Sequence, residues 1–250
     1  MNTIKIDKKN TLVIAHRGLS GIEPENSIPA FVAAGNRSYY GIETDIHVTK
    51  DGKFIIIHDD STARVAEADV NVEQCSYNFL RKLTLNNLGR NEILSGVTQE
   101  DVIVRPDLML PNLEEYVSIC KKYDKKCILE LKNTFPQEYA KKVIEELKRL
   151  KYLENTVLIS FSWKNMMYLR ELLPKQELQY LTSKYNAEVL ERLDAYDLEL
   201  DVCHTELTKE VIEQVHAHGH KVNAWTVDDA SRAEELISWG IDYITTNILE

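Results

Sequence analysis

The sequence predicts one α/β domain, a closed (β/α)8 barrel of the TIM type with an added antiparallel hairpin. Three observations carry this prediction. The chain has 250 residues and 44% hydrophobic content, enough for a sizeable core and within the usual size of one α/β barrel. Short apolar runs alternate with helical patterns along the chain, the signature of a mostly parallel sheet. Lys50-Asp51-Gly52 joins two of these runs too tightly for a parallel crossover, which needs a dozen or more residues.

In chain order, strands are expected over Leu12–His16, Ile42–Val48, Phe54–His58, Cys127–Lys132, Val157–Phe161, Leu178–Leu181, Leu198–Cys203, Lys221–Val227 and Tyr243–Thr246. That is one more than a barrel of eight needs. The tight turn resolves part of the surplus: Phe54–His58 folds back on Ile42–Val48 as a hairpin spanning 42–58, bringing His58 near Glu43. A helix is expected around Ile28–Gly35, with Asn26 or Ser27 as N-cap. Later helices fit Gln137–Leu150, Trp163–Leu173, Asn186–Arg192, Thr208–His218 and Ala230–Trp239, and Gly219 and Gly240 stand where helix C-terminal glycines belong. Residues 61–110, after the third strand, are polar and weakly periodic, with one helical pattern from Tyr77 to Leu88. Residues 1–250 are expected to form a single domain, with 61–110 as an insertion or lid over the site.

Thirty basic and 40 acidic residues give a formal net charge of −10, with no basic stripe, so nucleic acid is not the expected partner. An anionic substrate would need local attraction from a metal or a few cationic side chains. The four cysteines (Cys75, Cys120, Cys127, Cys203) form no C-x-x-C pair and no zinc spacing, which fits a reducing compartment. No apolar stretch has the length of a signal core or a membrane span. A cytoplasmic protein without an integral membrane segment is expected; the oligomeric state is not legible.

The chemistry concentrates at strand ends. Glu43, Asp45 and His47 share one strand face by the two-residue period, and two carboxylates on one face repel unless a cation sits between them. Glu130 and Lys132 repeat this at the end of a later apolar strand, where barrel enzymes keep their active sites. Glu43, Asp45 and Glu130 would make an all-oxygen set suited to a hard divalent cation, magnesium or calcium rather than zinc. The other reading of these residues is a set of salt-bridged strand ends. His16 and His58 each end an apolar strand, either as hydrogen-bonded structural histidines or as proton-transfer groups whose ordinary pKa of ~6.5 suits neutral pH. The cluster His216, His218 and His220 is read as structural, because residues two apart on a helix do not face each other.

His16-Arg17-Gly18, Pro24-Glu25-Asn26-Ser27, Glu43-Thr44-Asp45, Thr49-Lys50-Asp51-Gly52, His58-Asp59 and Glu130-Leu131-Lys132 resemble, in order and approximate spacing, the glycerophosphodiester phosphodiesterase family. Asn223-Ala224-Trp225-Thr226-Val227 and Ile244-Thr245-Thr246-Asn247 extend the resemblance over nearly the whole chain. It implies a barrel phosphodiesterase that hydrolyses glycerophosphodiesters to sn-glycerol 3-phosphate and an alcohol, with a divalent metal, Mg2+ first and Ca2+ as the alternative. By position, Glu43, Asp45 and Glu130 resemble the metal carboxylates, and His16 and His58 the acid/base pair. Arg17 and Lys132 resemble the phosphate-holding groups and Trp225 an aromatic of the substrate pocket. Asn26 either touches the site or only caps the helix.

The sequence departs from the family pattern after His58-Asp59, where Thr62 and Arg64 remain, and again over Leu88–Leu108. These departures bear on head-group preference. Two alternatives accompany the leading reading: a lysophospholipase D-like or cyclising activity on lipid substrates, and a non-catalytic binding protein on the same barrel.

Overall fold

The computed structural model describes residues 2–85 and 107–250. Nine strands occur among them: β1 (Leu12–Ala15), β2 (Gly41–Val48), β3 (Phe54–Ile56), β4 (Lys126–Leu131), β5 (Thr156–Ser160), β6 (Leu178–Thr182), β7 (Glu199–Cys203), β8 (Val222–Trp225) and β9 (Tyr243–Thr246). Eight are parallel and close into a ring in the order β1-β2-β4-β5-β6-β7-β8-β9. The ninth, β3, pairs antiparallel with the end of β2, Val48 opposite Phe54 and Ile46 opposite Ile56. The surplus strand is therefore the return arm of the expected hairpin, outside the barrel ring.

Side-chain alternation divides the apolar residues into two layers. Ile14, Ile128, Val157, Ile159, Leu181 and Tyr243 fill the barrel interior, so it is a packed core and not a pore. The opposite faces of the strands meet the surrounding helices α1 (Ile28–Gly35), α3 (Leu113–Lys122), α4 (Gln137–Arg149), α5 (Trp163–Leu172), α6 (Ala187–Tyr196), α7 (Lys209–Ala217) and α8 (Ala230–Ser238). Ser27 is the N-cap of α1, its hydroxyl accepting from Ala30 N. Gly219 and Gly240 take positive φ just past α7 and α8, as a helix C-terminal glycine does.

Helix α3 was not expected, yet its start is written in the sequence. The Asn112 side chain accepts from Glu115 N and the Glu115 carboxylate accepts from Asn112 N, a reciprocal capping box. The expected helix from Tyr77 shrinks to α2, Tyr77–Leu80, and residues 86–88 of that expectation lie outside the described residues. Leu80, Leu83 and Leu85 turn inward with Val65, Val72 and Leu110 to form a second small core against Ile55 and Ile57 of the hairpin arm. The described part of the insertion thus packs on the hairpin, and its described leucines are not offered outward; Phe79 and Met109 are its exposed large apolar side chains. Residues 88–106 of the divergent stretch lie outside the described residues. No described helix is long and apolar enough to cross a membrane.

Candidate active site

All nine side chains expected at a site converge at the C-terminal end of the barrel. His16, Arg17, Glu43, His58 and Glu130 line one side of a cavity of about 150 Å³, and Ile159, Phe161, Leu181, Asp201 and Trp225 line the other. Lys132 joins through Glu130 and Asp45, and Asn26 through Asp45.

The carboxylates come from neighbouring strands. Asp45 on β2 stands opposite Glu130 on β4, and the two-residue period puts Glu43 one step below Asp45. One oxygen from each of Glu43, Asp45 and Glu130 lies within 4.8 Å of the others, all three residues being buried. Burial, and then the Asp45 charge, push Glu43 well above the usual carboxylate range. Burial and Asp45 likewise raise Glu130 to about 7. Burial acts on Asp45 in the same direction, but Arg17, then Lys132 and His58, outweigh it and hold Asp45 below its ordinary value. Asp45 Oδ1 is buried without a hydrogen-bond donor. Three crowded carboxylates, one of them with an unpartnered oxygen, fit a divalent cation. The salt-bridge reading is also partly realised: Lys132 Nζ lies 2.9 Å from Glu130 Oε1 and 3.7 Å from Asp45 Oδ1, and Arg17 Nε lies 3.7 Å from Asp45 Oδ2.

The loop after β1 is held in an uncommon shape. Arg17 and Asn26 both adopt positive φ, near 50°, where side chains other than glycine are seldom found. Specific bonds hold it there: Arg17 N donates to Glu43 Oε2 and Asn26 N donates to Arg17 O. Gly18 also has positive φ, and a Cβ there would fall 2.7 Å from the Ala30 carbonyl carbon. Asn26 donates to Asp45 Oδ2 and accepts from the Thr44 hydroxyl, so it touches the site and leaves the cap of α1 to Ser27. Arg17 Nη1 is bound to Glu25, while its buried Nε has no hydrogen-bond partner.

The two histidines have different supports. His16 Nδ1 lies 2.8 Å from Asn247 Oδ1. That oxygen also accepts from Ser20, and the Asn247 amide donates to Asp228, which fixes the oxygen toward His16. His16 therefore donates from Nδ1 and leaves Nε2, 4.0 Å from Glu43 Oε2, as a free base. Burial, then Arg17, lower its pKa to about 4. His58 Nδ1 lies 2.6 Å from Asp59 Oδ1, and Asp59 Oδ2 accepts from Arg64 Nε. Burial lowers the His58 pKa, and Asp45 and Asp59 act against that. Sequence reading did not assign Asn247, Asp228 or Asp59 a role; His58-Asp59 and the segment ending in Asn247 were the signals available. His47 shares the parity of Asp45 but leaves the site, its ring nitrogens facing Glu73 and the His58 carbonyl.

Trp225 faces the cavity with Phe161 edge-on, ring centroids 5.5 Å apart. Its Nε1–H is buried without an acceptor. Asn223 points into the barrel as parity expects, donating to Gln179 and accepting from Thr245, and Ala224 packs outward. Thr226, which continued strand alternation would turn outward with Ala224, lines the cavity, because β8 and its alternation end at Trp225. The histidine cluster at 216–220 lies elsewhere, with His216 held by Asp242 and His218 and His220 by Asp194.

Residues 16–250 match the glycerophosphoryl diester phosphodiesterase family. A glycerophosphodiester phosphodiesterase of Caldanaerobacter subterraneus subsp. tengcongensis is 28% identical over 246 residues, covering 95% of this chain and 94% of that one. Among solved structures, an Oleispira antarctica phosphodiesterase in complex with the product sn-glycerol 3-phosphate superposes with a TM-score of 0.83 at 26% identity, covering 94% of this chain and 92% of that one. A glycerophosphodiester phosphodiesterase from Parabacteroides distasonis gives 0.78 at 28% identity, covering 96% and 94%.

Proposed function

The chain belongs to the glycerophosphoryl diester phosphodiesterase family, and on that premise we propose that it hydrolyses glycerophosphodiesters to sn-glycerol 3-phosphate and an alcohol, using a divalent cation and two histidines. The observation that carries this reading is the convergence of His16, Arg17, Glu43, His58 and Glu130 on one cavity. Glu43, Asp45 and Glu130 would hold the cation, Mg2+ in the first place and Ca2+ as the alternative. Bound there, it would supply electrostatic stabilisation of charge on the phosphoryl oxygens.

Arg17 and Lys132 bring fixed positive charge to the same oxygens. Charge that develops there in the transition state is stabilised by groups already in place. The attacking oxygen bonds to phosphorus as the bond to the departing alcohol breaks; water gives glycerol 3-phosphate directly, whereas the substrate's own glycerol hydroxyl gives a cyclic phosphate that water then opens to the same product. His16 Nε2, neutral and unencumbered, takes the proton of the attacking oxygen. His58, whose cationic form is supported by Asp59, gives a proton to the departing one. Proton transfer of this kind is typically worth ~10²–10⁴-fold. Trp225 walls the pocket with an apolar face suited to the glycerol backbone. Arg64, among the described residues of the insertion, reaches the Asp59 carboxylate that faces His58, and the insertion is assigned the choice of head group.

The test is to incubate the protein with a panel of glycerophosphodiesters, with and without EDTA, and to assay glycerol 3-phosphate. Release that stops with EDTA and returns with Mg2+ or Ca2+ is expected. Turnover unaffected by chelation would remove the cation from the reading, and absence of release across the panel would overturn the activity.

A further inference from the structure

Besides Arg17 Nε, two buried polar atoms among the described residues of the cavity wall have no hydrogen-bond partner in the protein. One is Trp225 Nε1–H on β8; the other is Asp201 Oδ1 on the adjacent strand β7. Asp201 is 2% exposed, and its side chain lines the same cavity as His16 and Glu43. A buried carboxyl oxygen with no donor costs stability, and such a group calls for a partner that the protein itself lacks. In the ring order, β7 stands four strands from β2, directly across the barrel from Glu43 and Asp45. Asp201 is not a fourth member of the carboxylate set, since the group within 4.8 Å comprises Glu43, Asp45 and Glu130 among the described residues.

Its surroundings narrow what could reach it. Asp201 pairs in register with Leu181 and Asn223, and Trp225 lies one two-residue step further up β8. Ile159 and Leu181 make the intervening wall apolar. Beside the hydroxyls of Thr226 and Thr245, the wall thus presents one unpartnered acceptor and one unpartnered donor, at different depths, next to apolar Ile159, Phe161 and Leu181. A hydroxylated alkyl chain has the matching pattern: C–H groups between O–H groups that each donate and accept. A quaternary ammonium donates nothing, and a primary ammonium accepts nothing from the indole N–H. With phosphate drawn to Arg17 and Lys132, the far end of the glycerol arm is the part that extends across the barrel.

We propose that Asp201 accepts a hydrogen bond from the terminal hydroxyl of the glycerol arm, and so distinguishes glycerol esters from diesters whose alkyl arm ends in a methyl group. This rests on the phosphodiesterase reading above and adds to it a residue that sets substrate choice. Burial, then the Glu130 charge, hold the Asp201 carboxyl well above the usual carboxylate range, with Asn223 only partly offsetting them. Its acceptor role stands in either protonation state, since each leaves an oxygen lone pair.

The test compares two substrates with the same departing alcohol, which is the product measured. One is the glycerophosphodiester turned over fastest. The other replaces glycerol by 1,2-propanediol, keeping the hydroxyl beside the phosphorylated carbon and losing only the terminal one. The wild-type protein is expected to favour the glycerol ester in kcat/KM by at least about tenfold, because a site built to bond a hydroxyl rejects the analogue lacking it. Asp201→Ala should lower kcat/KM for the glycerol ester by at least about tenfold, leave the analogue nearly unchanged, and keep or raise Tm. Asp201→Asn, which retains a side-chain oxygen, should recover part of the preference. Equal losses on both substrates, or no preference in the wild type, would overturn the assignment while leaving the phosphodiesterase activity standing. A wild-type protein that cleaves neither substrate would overturn both.

Discussion

His16 and His58 differ in what stands behind them, and the difference sets their expected behaviour. A neutral amide orients His16, whereas a carboxylate faces His58. His16→Ala and His58→Ala should each lower kcat by at least ~10²-fold, with the fold kept and cation binding intact. The double variant should lose much less than the product of the single losses, since an acid and a base serving one displacement act as a unit. Turnover per folded molecule checks this; two structural histidines would instead show lowered stability and full specific activity. The lowered pKa of His16 has a second consequence. Its folded value of about 4 lies below the ordinary 6.5, so between these values the unfolded chain binds a proton that the folded protein refuses. Stability contributed by this residue is therefore complete above pH 6.5 and falls as pH drops toward 4, by on the order of 2–3 kcal/mol. Denaturant titrations of wild type and His16→Asn should diverge over that window, with the wild type losing more; parallel curves would mean that His16 ionises freely in the fold.

At the level of elements, one side chain among the described residues of the insertion ties it to the carboxylates behind His58 and Arg17. Arg64 grips Asp59 with Nε and Glu25 with both terminal nitrogens, and Glu25 in turn holds Arg17. Arg64 is about 40% exposed, so its ion pairs add little to stability, ~1 kcal/mol or less. What it fixes is the orientation of the carboxylates behind His58 and Arg17. Arg64→Ala is expected to lower kcat roughly tenfold with Tm nearly unchanged, and its effect should not add to that of Asp59→Asn, because residues in one network couple. Additive effects in that double-mutant cycle would make Arg64 an independent surface residue. Sequence spacing placed the hairpin correctly, since a three-residue turn permits only antiparallel pairing. It missed α3, whose signal lay in Asn112 and Glu115 at capping distance and not in a long periodic stretch. It also overextended α2, because Leu83 and Leu85 are apolar for the sake of the second small core and not for a helix face.

For the whole molecule, the carboxylate cluster is a local liability that a cation would relieve. Glu43, Asp45 and Glu130 repel one another at the barrel mouth, and a ligand that binds the folded state alone stabilises it by mass action. Millimolar Mg2+ or Ca2+ should raise Tm of chelator-treated protein by on the order of 5–10 °C once the ion is at about a hundred times its Kd. Asp45→Asn should abolish that rise. Absence of a shift with either ion would mean that Arg17 and Lys132 alone balance the carboxylates. The residue types and their spacing, by themselves, pointed to the barrel, its hairpin and the carboxylates, lysine and histidines at strand ends, because strand parity and turn length are local properties of the chain; Arg17, Asn26 and Trp225 were singled out only by the family resemblance. Only the tertiary structure decided what each of them meets. Asn247 stands behind His16 although 231 residues separate them, Arg64 ties the insertion to Glu25, and Asp201 faces the carboxylates across the barrel without a partner. The physical reason is that ring closure sets these contacts by bringing β9 against β1 and β7 opposite β2, and no periodicity within a single strand carries that information.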